Sequence, residues 1–522
     1  MFTRAPSSPL AATLLALLLL ACFAPAASAQ SYRPEMTVIR AGKVITVSGR
    51  EIENGEIVIE DGEITLVGVA LDVPSYATVI DARDQTVMPG LIHAGTRYGL
   101  DNYRRSGINA DKLAASDVYA DRIDFEPWLR AGFTAVAFIP PGDGISGRAS
   151  LFRTAGPRED QVLRRRGYVR VSLTDLPGDK RTLTTAITRA RAEIKKVEDA
   201  RAQWDREQAE RRRAEQQQKQ NGENGEGQRA GGTAQGTENG NGSNESDAPS
   251  EPPAFKPPEI EPTLQPMVDL LHRREGALMV VEFSQAAGLP HLDDALSTAL
   301  RPDPPASAQA PQGRRGQQGA QPQQPQRRGQ GGGQGANQGA PQAPAADAFK
   351  PPETLTHAIR LQRLDRGFNW GRVSYFGSPM MWSDYTLIVD DLAERQVPLI
   401  LTPDMVFLPQ TVTRYNIAGE LAARGAELIF VPRFEAGLGP EMFLNQLAML
   451  VREGLSREAA LAGVTRHPAR LLGVSGRVGT IERGKQADLI FLSGDPLHPA
   501  SRVTRVMIAG QTVWEPGEGD IR

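Results

Sequence analysis

The chain has 522 residues, with 59 Lys and Arg set against 62 Asp and Glu and a formal net charge of -3 at neutral pH. That balance excludes the basic footprint of a nucleic-acid binder, and a 40% hydrophobic, 23% charged composition is ordinary for a globular protein. Glycine and proline, at 52 and 39 residues, concentrate in two tracts that read as inserts and not as core.

Residues 1–29 carry one basic residue, Arg4, then an apolar run from Leu10 to Phe23, then Ala27-Ser28-Ala29 before Gln30. This is the layout of a secretory signal peptide with a small-residue cleavage site, so an exported, periplasmic protein without a membrane span is expected. The run Leu19-Leu20-Ala21-Cys22 resembles a loose lipobox, which leaves lipid anchoring at Cys22 as the alternative to cleavage. Cys22 is the only cysteine. The mature chain therefore forms no internal disulfide, and its stability must come from its core.

From Thr37 to Ile80 the pattern is strand, turn, strand. Ile57 and Ile59, then Ile64 and Leu66, alternate with polar residues on either side of Asp61-Gly62, a two-residue hairpin signal. Short strands return at the other end, through Leu489 to Leu492 and around Ala509-Gly510. Neither terminal set buries a core alone, so residues 30–88 and 474–522 are expected to pair into one small β-sandwich.

Between them the period changes. Ala131 to Ile139 reads as a buried strand followed by a Gly-rich loop, Pro140 to Arg148, at its carboxyl end. No Gly-Lys-Ser or Gly-Lys-Thr follows, which argues against a phosphate loop. Residues 181–219 read as a long charged helix with Leu183, Ile187, Ala190 and Ile194 on one stripe, packed on the core and fraying outward. Tracts 216–262, acidic, and 302–348, rich in Gln, Gly and Pro with four arginines, hold too few large apolar residues to offset the entropy of ordering, so disorder is expected. Further strands are expected at 276–283, 372–377, 397–401 and 427–433, with helices at 384–395 and 413–423. Alternating strands and helices predict an α/β fold, a (β/α)8 TIM-type barrel built from 89–215, 263–301 and 349–473.

Two stretches resemble the amidohydrolase superfamily, its imidazolonepropionase-like branch in particular. One is Val87-Met88-Pro89-Gly90-Leu91-Ile92-His93-Ala94-Gly95-Thr96-Arg97, which resembles the family's metal-binding Asp-x-His-x-His strand; the other is the terminal run Arg477-Val478-Gly479-Thr480-Ile481 through Asp488-Leu489-Ile490-Phe491. The resemblance implies a metal-dependent hydrolase fold with a composite terminal β-domain. It also implies ligands at positions where this chain has His93, Gly95 and Arg97. Residues two apart on a strand share a side and can reach one ion, but glycine offers no ligand and arginine a fixed positive charge. Arg153 stands where related sequences carry lysine, Glu282 in a run where His-Ala-His is common, and Arg433 and Glu435 near the family's final Ser-Asp or Thr-Asp.

No metal or other cofactor is therefore expected. His272, His291 and His357 read as exposed on helices or loops, and His467 as structural. The vestigial site candidates are His93, Glu282 and Glu435, and the anion-binding candidates are Arg97, Arg153 and Arg433, with the neutralisation of one another as their simplest role. The expected function is that of a non-catalytic subunit or ligand-binding protein, in a homo-oligomer or beside a catalytically active relative. The alternative is a divergent hydrolase of C–N bonds in amide or dipeptide-like substrates, which would need zinc or another divalent metal.

Overall fold

A computed structural model of the chain describes residues 35–101, 104–174, 177–226, 254–301, 356–362, 383–408 and 411–517. The leader, most of the first tract, all of the second and the expected strand at 372–377 lie outside the described residues.

The N-terminal strands are β1 (Met36–Val44), β2 (Ile52–Glu53), β3 (Glu56–Glu60), β4 (Glu63–Gly68) and β5 (Thr78–Pro89). Asp61 and Gly62 both take positive φ at the β3–β4 turn, as a tight two-residue hairpin requires. The next strands are β6 (Leu91–Thr96), β7 (Phe133–Phe138), β8 (Ile145–Arg148), β9 (Ser150–Arg153), β10 (Val162–Arg164), β11 (Val169–Leu173) and β12 (Met279–Phe283). After them come β13 (His357–Leu361), β14 (Leu399–Leu401), the short pair β15 (Val406–Phe407) and β16 (Arg414–Tyr415), and β17 (Leu428–Phe430). The chain closes with β18 (Leu489–Leu492), β19 (Val503–Ile508) and β20 (Gln511–Trp514).

Both termini meet in one sheet, ordered β20-β19-β18-β5-β1-β3-β4 with β2 beside β1. The joint is the antiparallel pairing of β18 with β5, Leu489 opposite Pro89 and Leu492 opposite Thr86. The expected two-layered sandwich is thus one continuous ladder that folds over. Its β4 edge returns to the residues before β18, where Ile64 N–H donates to Lys485 O and Ala487 N–H donates to Gly62 O. Ile39, Ile57, Ile59, Leu489 and Phe491 fill the space enclosed, apolar area whose removal from water stabilises the layer.

The barrel strands form two sheets, β10-β9-β7-β6 and β17-β14-β13-β12-β11-β8. β8 and β9 are one extended run broken only at Ala149, so the two sheets share a stave. That stave runs against its neighbours: β9 is antiparallel to β7 and β8 antiparallel to β11. The expected all-parallel ring is therefore a barrel-type ring with its third stave reversed. No strand ladder joins β17 to β6 among the described residues. The gap is spanned by backbone, Phe430 N–H donating to Gly463 O and Ile92 N–H to Val464 O.

Alternation along the staves sorts inside from outside. Val280, Ala358, Ile400 and Ile429 pack together in the interior, while Val281, Phe283, Ile359, Leu361 and Phe430 pack outward. The long helix Pro177–Glu226 buries Leu183, Ile187 and Ala190 completely, as its stripe predicts. It extends past residue 215, and Phe255 packs against its Trp204 at 5.8 Å between rings. The ends of the first tract are thus ordered chain. His357, expected on an exposed helix or loop, is buried at the start of β13. Its strand is the short run His-Ala-Ile-Arg-Leu directly after the low-complexity tract, where too few residues remain to show a period.

Candidate functional site

Two residues beyond Val280 and Ala358, the interior period places Glu282 on β12 and Arg360 on β13, side by side in register. Glu282 is 2% exposed and is the hub of the barrel mouth. Its Oε2 accepts from Arg97 Nη2 at 2.7 Å, Arg170 Nη2 at 2.6 Å, Arg170 Nε at 2.9 Å and Gln362 Nε2 at 2.9 Å. Arg360 Nη1 lies 3.5 Å from Oε1. Burial works against a charged carboxylate, yet Arg170, Arg97 and Arg360 outweigh it and hold Glu282 well below the usual carboxylate range.

Arg170 is itself buried. Its remaining donor reaches Gly142 O and Ser146 Oγ, both at 2.8 Å, tying the Gly-rich loop after β7 to the hub. Tyr168 Oη donates to Ala94 O at 2.7 Å, and burial pushes that phenol's pKa up. The side of Gly95 is filled by these groups. A Cβ there would lie 2.5 Å from Tyr168 Oη and 2.8 Å from Arg360 Nη1.

The β6–β7 ladder slips between His93 and Thr96. The simple two-residue spacing therefore does not hold: position 95 faces Tyr168, Arg360 and Ile139, whereas the His93 ring packs edge-on to Trp128 at 5.1 Å and beside Phe133 at 5.9 Å. His93 Nδ1 accepts from Gly95 N–H at 3.0 Å, so the ring proton belongs on Nε2, which lies 3.5 Å from Glu435 Oε1. Burial keeps His93 below its usual pKa, with Glu435 opposing. Glu435 is held low against burial by His93 and the Thr96 hydroxyl.

Arg97, Glu282, Arg360, Gln362, Arg433 and Glu435 line one cavity of about 250 Å3, with Ile139, Leu361, Val431 and Pro432 as its apolar wall. Arg433 Nη1 donates to Asp404 Oδ1 at 3.2 Å, and Asp404 accepts from Thr402 at 2.6 Å. The structure thus gathers His93, Glu282, Glu435, Arg97 and Arg433 at one mouth. Arg153 is excluded from it. Because its stave is reversed, Arg153 pairs with Ala135 near the other end of the barrel, donating to Gln486 Oε1 at 2.6 Å with Asp488 at 3.9 Å.

Arg170, Arg360, Gln362 and Tyr168 are absent from the candidates that the sequence offers. The available signal was an arginine inside each of two apolar strands, Val169-Arg170-Val171 and Ile359-Arg360-Leu361, where a charge is found only if paired. His467 has the structural role expected, its Nδ1 2.8 Å from Leu428 O.

A divalent metal does not fit this donor set. Among the described residues no group of three or more His, Cys, Asp or Glu is placed to hold one, and the side of Gly95 is occupied by a phenol and a guanidinium. Glu282, in register with Arg360, already accepts from Arg97 and Arg170 at Oε2.

The site and ring define a β/α barrel-type protein with a composite terminal sheet and an arginine-lined mouth. Residues 383–513 match the model of the amidohydrolase family. An amidohydrolase of Thermotoga maritima MSB8 shares the fold, with a TM-score of 0.55 at 15% identity over 92% of this chain and 100% of that one. The imidazolonepropionase of Rhizobium meliloti (strain 1021) is 49% identical over 63 residues, 12% of this chain and 14% of that protein. A 5'-deoxyadenosine deaminase of Methanosarcina mazei is 34% identical over 94 residues, 18% of each. The two sequence matches span under a fifth of those relatives' length. The family model matches residues 383–513 alone, and the solved structure shows a shared fold.

Proposed function

We propose that this chain is an exported amidohydrolase-superfamily protein that acts by binding and not by metal-dependent hydrolysis. It serves as a ligand-binding protein or as the non-catalytic subunit of an assembly with itself or with an active relative. The observation that carries this reading is the hub of Arg97, Arg170 and Arg360 on Glu282, built where the family's metal chemistry takes place. Metal hydrolysis needs a cation to lower the pKa of bound water and a carboxylate free to take the proton. Here the buried carboxylate is already engaged by cations, and three guanidiniums repel a further positive ion. The exposed Phe434, Leu438 and Met442, in the segment that follows β17, suit a subunit contact.

A divergent C–N hydrolase is the second reading, favoured by the His93–Glu435 pair at the same mouth. Elemental mass spectrometry of the purified mature protein, before and after incubation with zinc, manganese or iron and desalting, separates the two. Absence of bound metal supports the binding reading. Near-stoichiometric metal lost in His93→Ala or Glu435→Ala supports the hydrolase.

A further inference from the structure

At the opposite end of the barrel from Glu282, where β11 and β12 begin and the reversed β8 ends, lies a second cavity of about 240 Å3. Arg148, Arg164, Arg166 and Arg274 line it, with Asp269 and Glu275 as its acids. Asp269 pairs with Arg274 at 2.8 Å and accepts from Gln265 Nε2 at 2.8 Å. Among the described residues the other three arginines have no carboxylate in ion-pair contact, and neither does Glu275 have a cation. Arg148 gives both Nε and Nη2 to Gly167 O at 3.1 Å. Arg164 gives Nε to Arg166 O at 3.0 Å and Nη1 to Gly473 O at 2.7 Å. These carbonyls satisfy donors without cancelling charge. The exposed Arg166 side chain makes no hydrogen bond among the described residues. Burial, Arg166 and Arg164 hold Arg148 below its usual pKa, with Asp269 opposing.

We propose that this cavity binds a phosphate group, either the free ion or the head of a small monoester, held by Arg148, Arg164 and Arg166. With Arg274 and Asp269 cancelling, three guanidiniums against Glu275 leave two positive charges, and a phosphate group carries about -1.5 to -2 at neutral pH. Its oxygens also point in several directions, so that more than one guanidinium is served at once. Arg164 stands at the cavity wall because position 276 is glycine: a Cβ there would lie 2.5 Å from Arg164 Nη2, the nitrogen that Gly473 O and Arg166 O leave over. Arg148 lies opposite Val169 in the β8–β11 ladder, which sets one side of the site on barrel backbone. The volume suits an ion with a small substituent and is below the usual range for larger ligands.

The test is calorimetric titration of the full purified protein at low ionic strength with inorganic phosphate, with phenyl phosphate, and with succinate as a dicarboxylate of similar charge. One phosphate is expected per chain, with succinate at least tenfold weaker. Phenyl phosphate binding more than threefold tighter than inorganic phosphate supports the monoester as the ligand, and a smaller difference supports the free ion. Arg148→Gln and Arg166→Gln are each expected to weaken phosphate at least tenfold, and Arg83→Gln, exposed on β5 in the terminal sheet, to leave it within twofold. Arg166, exposed and without a side-chain partner among the described residues, keeps the test open if Arg148→Gln does not fold. Succinate binding as tightly as phosphate overturns the proposal. So does unchanged phosphate affinity in Arg166→Gln, which would place any bound phosphate elsewhere, and so does a protein that binds neither phosphate nor its ester.

Discussion

Tyr168 and residue 95 share one space: the phenol oxygen lies 2.5 Å from where a β-carbon on Gly95 would stand, and it is fixed there by its bond to Ala94 O. The glycine and the tyrosine therefore belong to one arrangement, and restoring a histidine at 95 does not restore a metal site. Gly95→His is expected to cost about 3 kcal/mol by overpacking, measured as a lower urea midpoint, and to leave metal content unchanged. Gain of bound metal by this single variant would contradict the arrangement.

Glu282 is the carboxylate on which three arginines converge, so removing its charge should cost more than removing any one of them. Breaking a buried ion pair by deleting one partner typically costs 3–5 kcal/mol. Glu282→Gln is expected to lose about 4 kcal/mol, and Arg97→Gln, whose side chain is 41% exposed, about 1 kcal/mol. Chemical denaturation of both variants checks the order, and equal losses would show that the hub is not centred on Glu282.

Acid should destabilise the fold through the same groups. Glu282 and Glu435 have folded-state pKa values below their usual ones, so their contribution is present above about pH 4.5 and is lost as the pH falls towards the folded values. His93, depressed by burial, binds its proton more readily when unfolded, so stability also falls as the pH drops below about 6.5. Urea midpoints measured from pH 8 to pH 4 should decline throughout the acid limb. His93→Gln should flatten the part between pH 7 and pH 5, with His467, also depressed by burial, keeping some of the slope.

Arg153 joins the barrel to the terminal sheet through Gln486 and Asp488. Arg153→Ala leaves buried Asp488 without its nearest cation and is expected to cost about 3 kcal/mol while leaving ligand affinity at the mouth unchanged. Differential scanning calorimetry and a binding titration on the same sample read the two effects separately. A loss of affinity without loss of stability would return Arg153 to the site.

The order of elements was legible because period-two and helical patterns are local. The pairing of the two ends was legible as well, since neither set of short strands buries a face alone. The reversed stave was not, because Ile145 to Arg153 reads the same in either direction and only pairing with β7 and β11 sets its sense. That reversal sets Arg153 opposite Ala135 and apart from Arg97 and Arg433. At the site, motif spacing exposed what stands at positions 93, 95 and 97. It could not reveal Arg170 and Arg360, whose partner Glu282 lies 112 and 78 positions away in sequence and whose meeting depends on β11 and β13 pairing on either side of β12.

The most direct test of the account is the metal content of the purified protein after incubation with excess zinc and desalting. The arginine hub predicts well under a tenth of an equivalent, on the order expected where cations already surround the carboxylate. Close to one equivalent, lost in Glu282→Gln or His93→Ala, would contradict it and return the barrel mouth to hydrolytic chemistry.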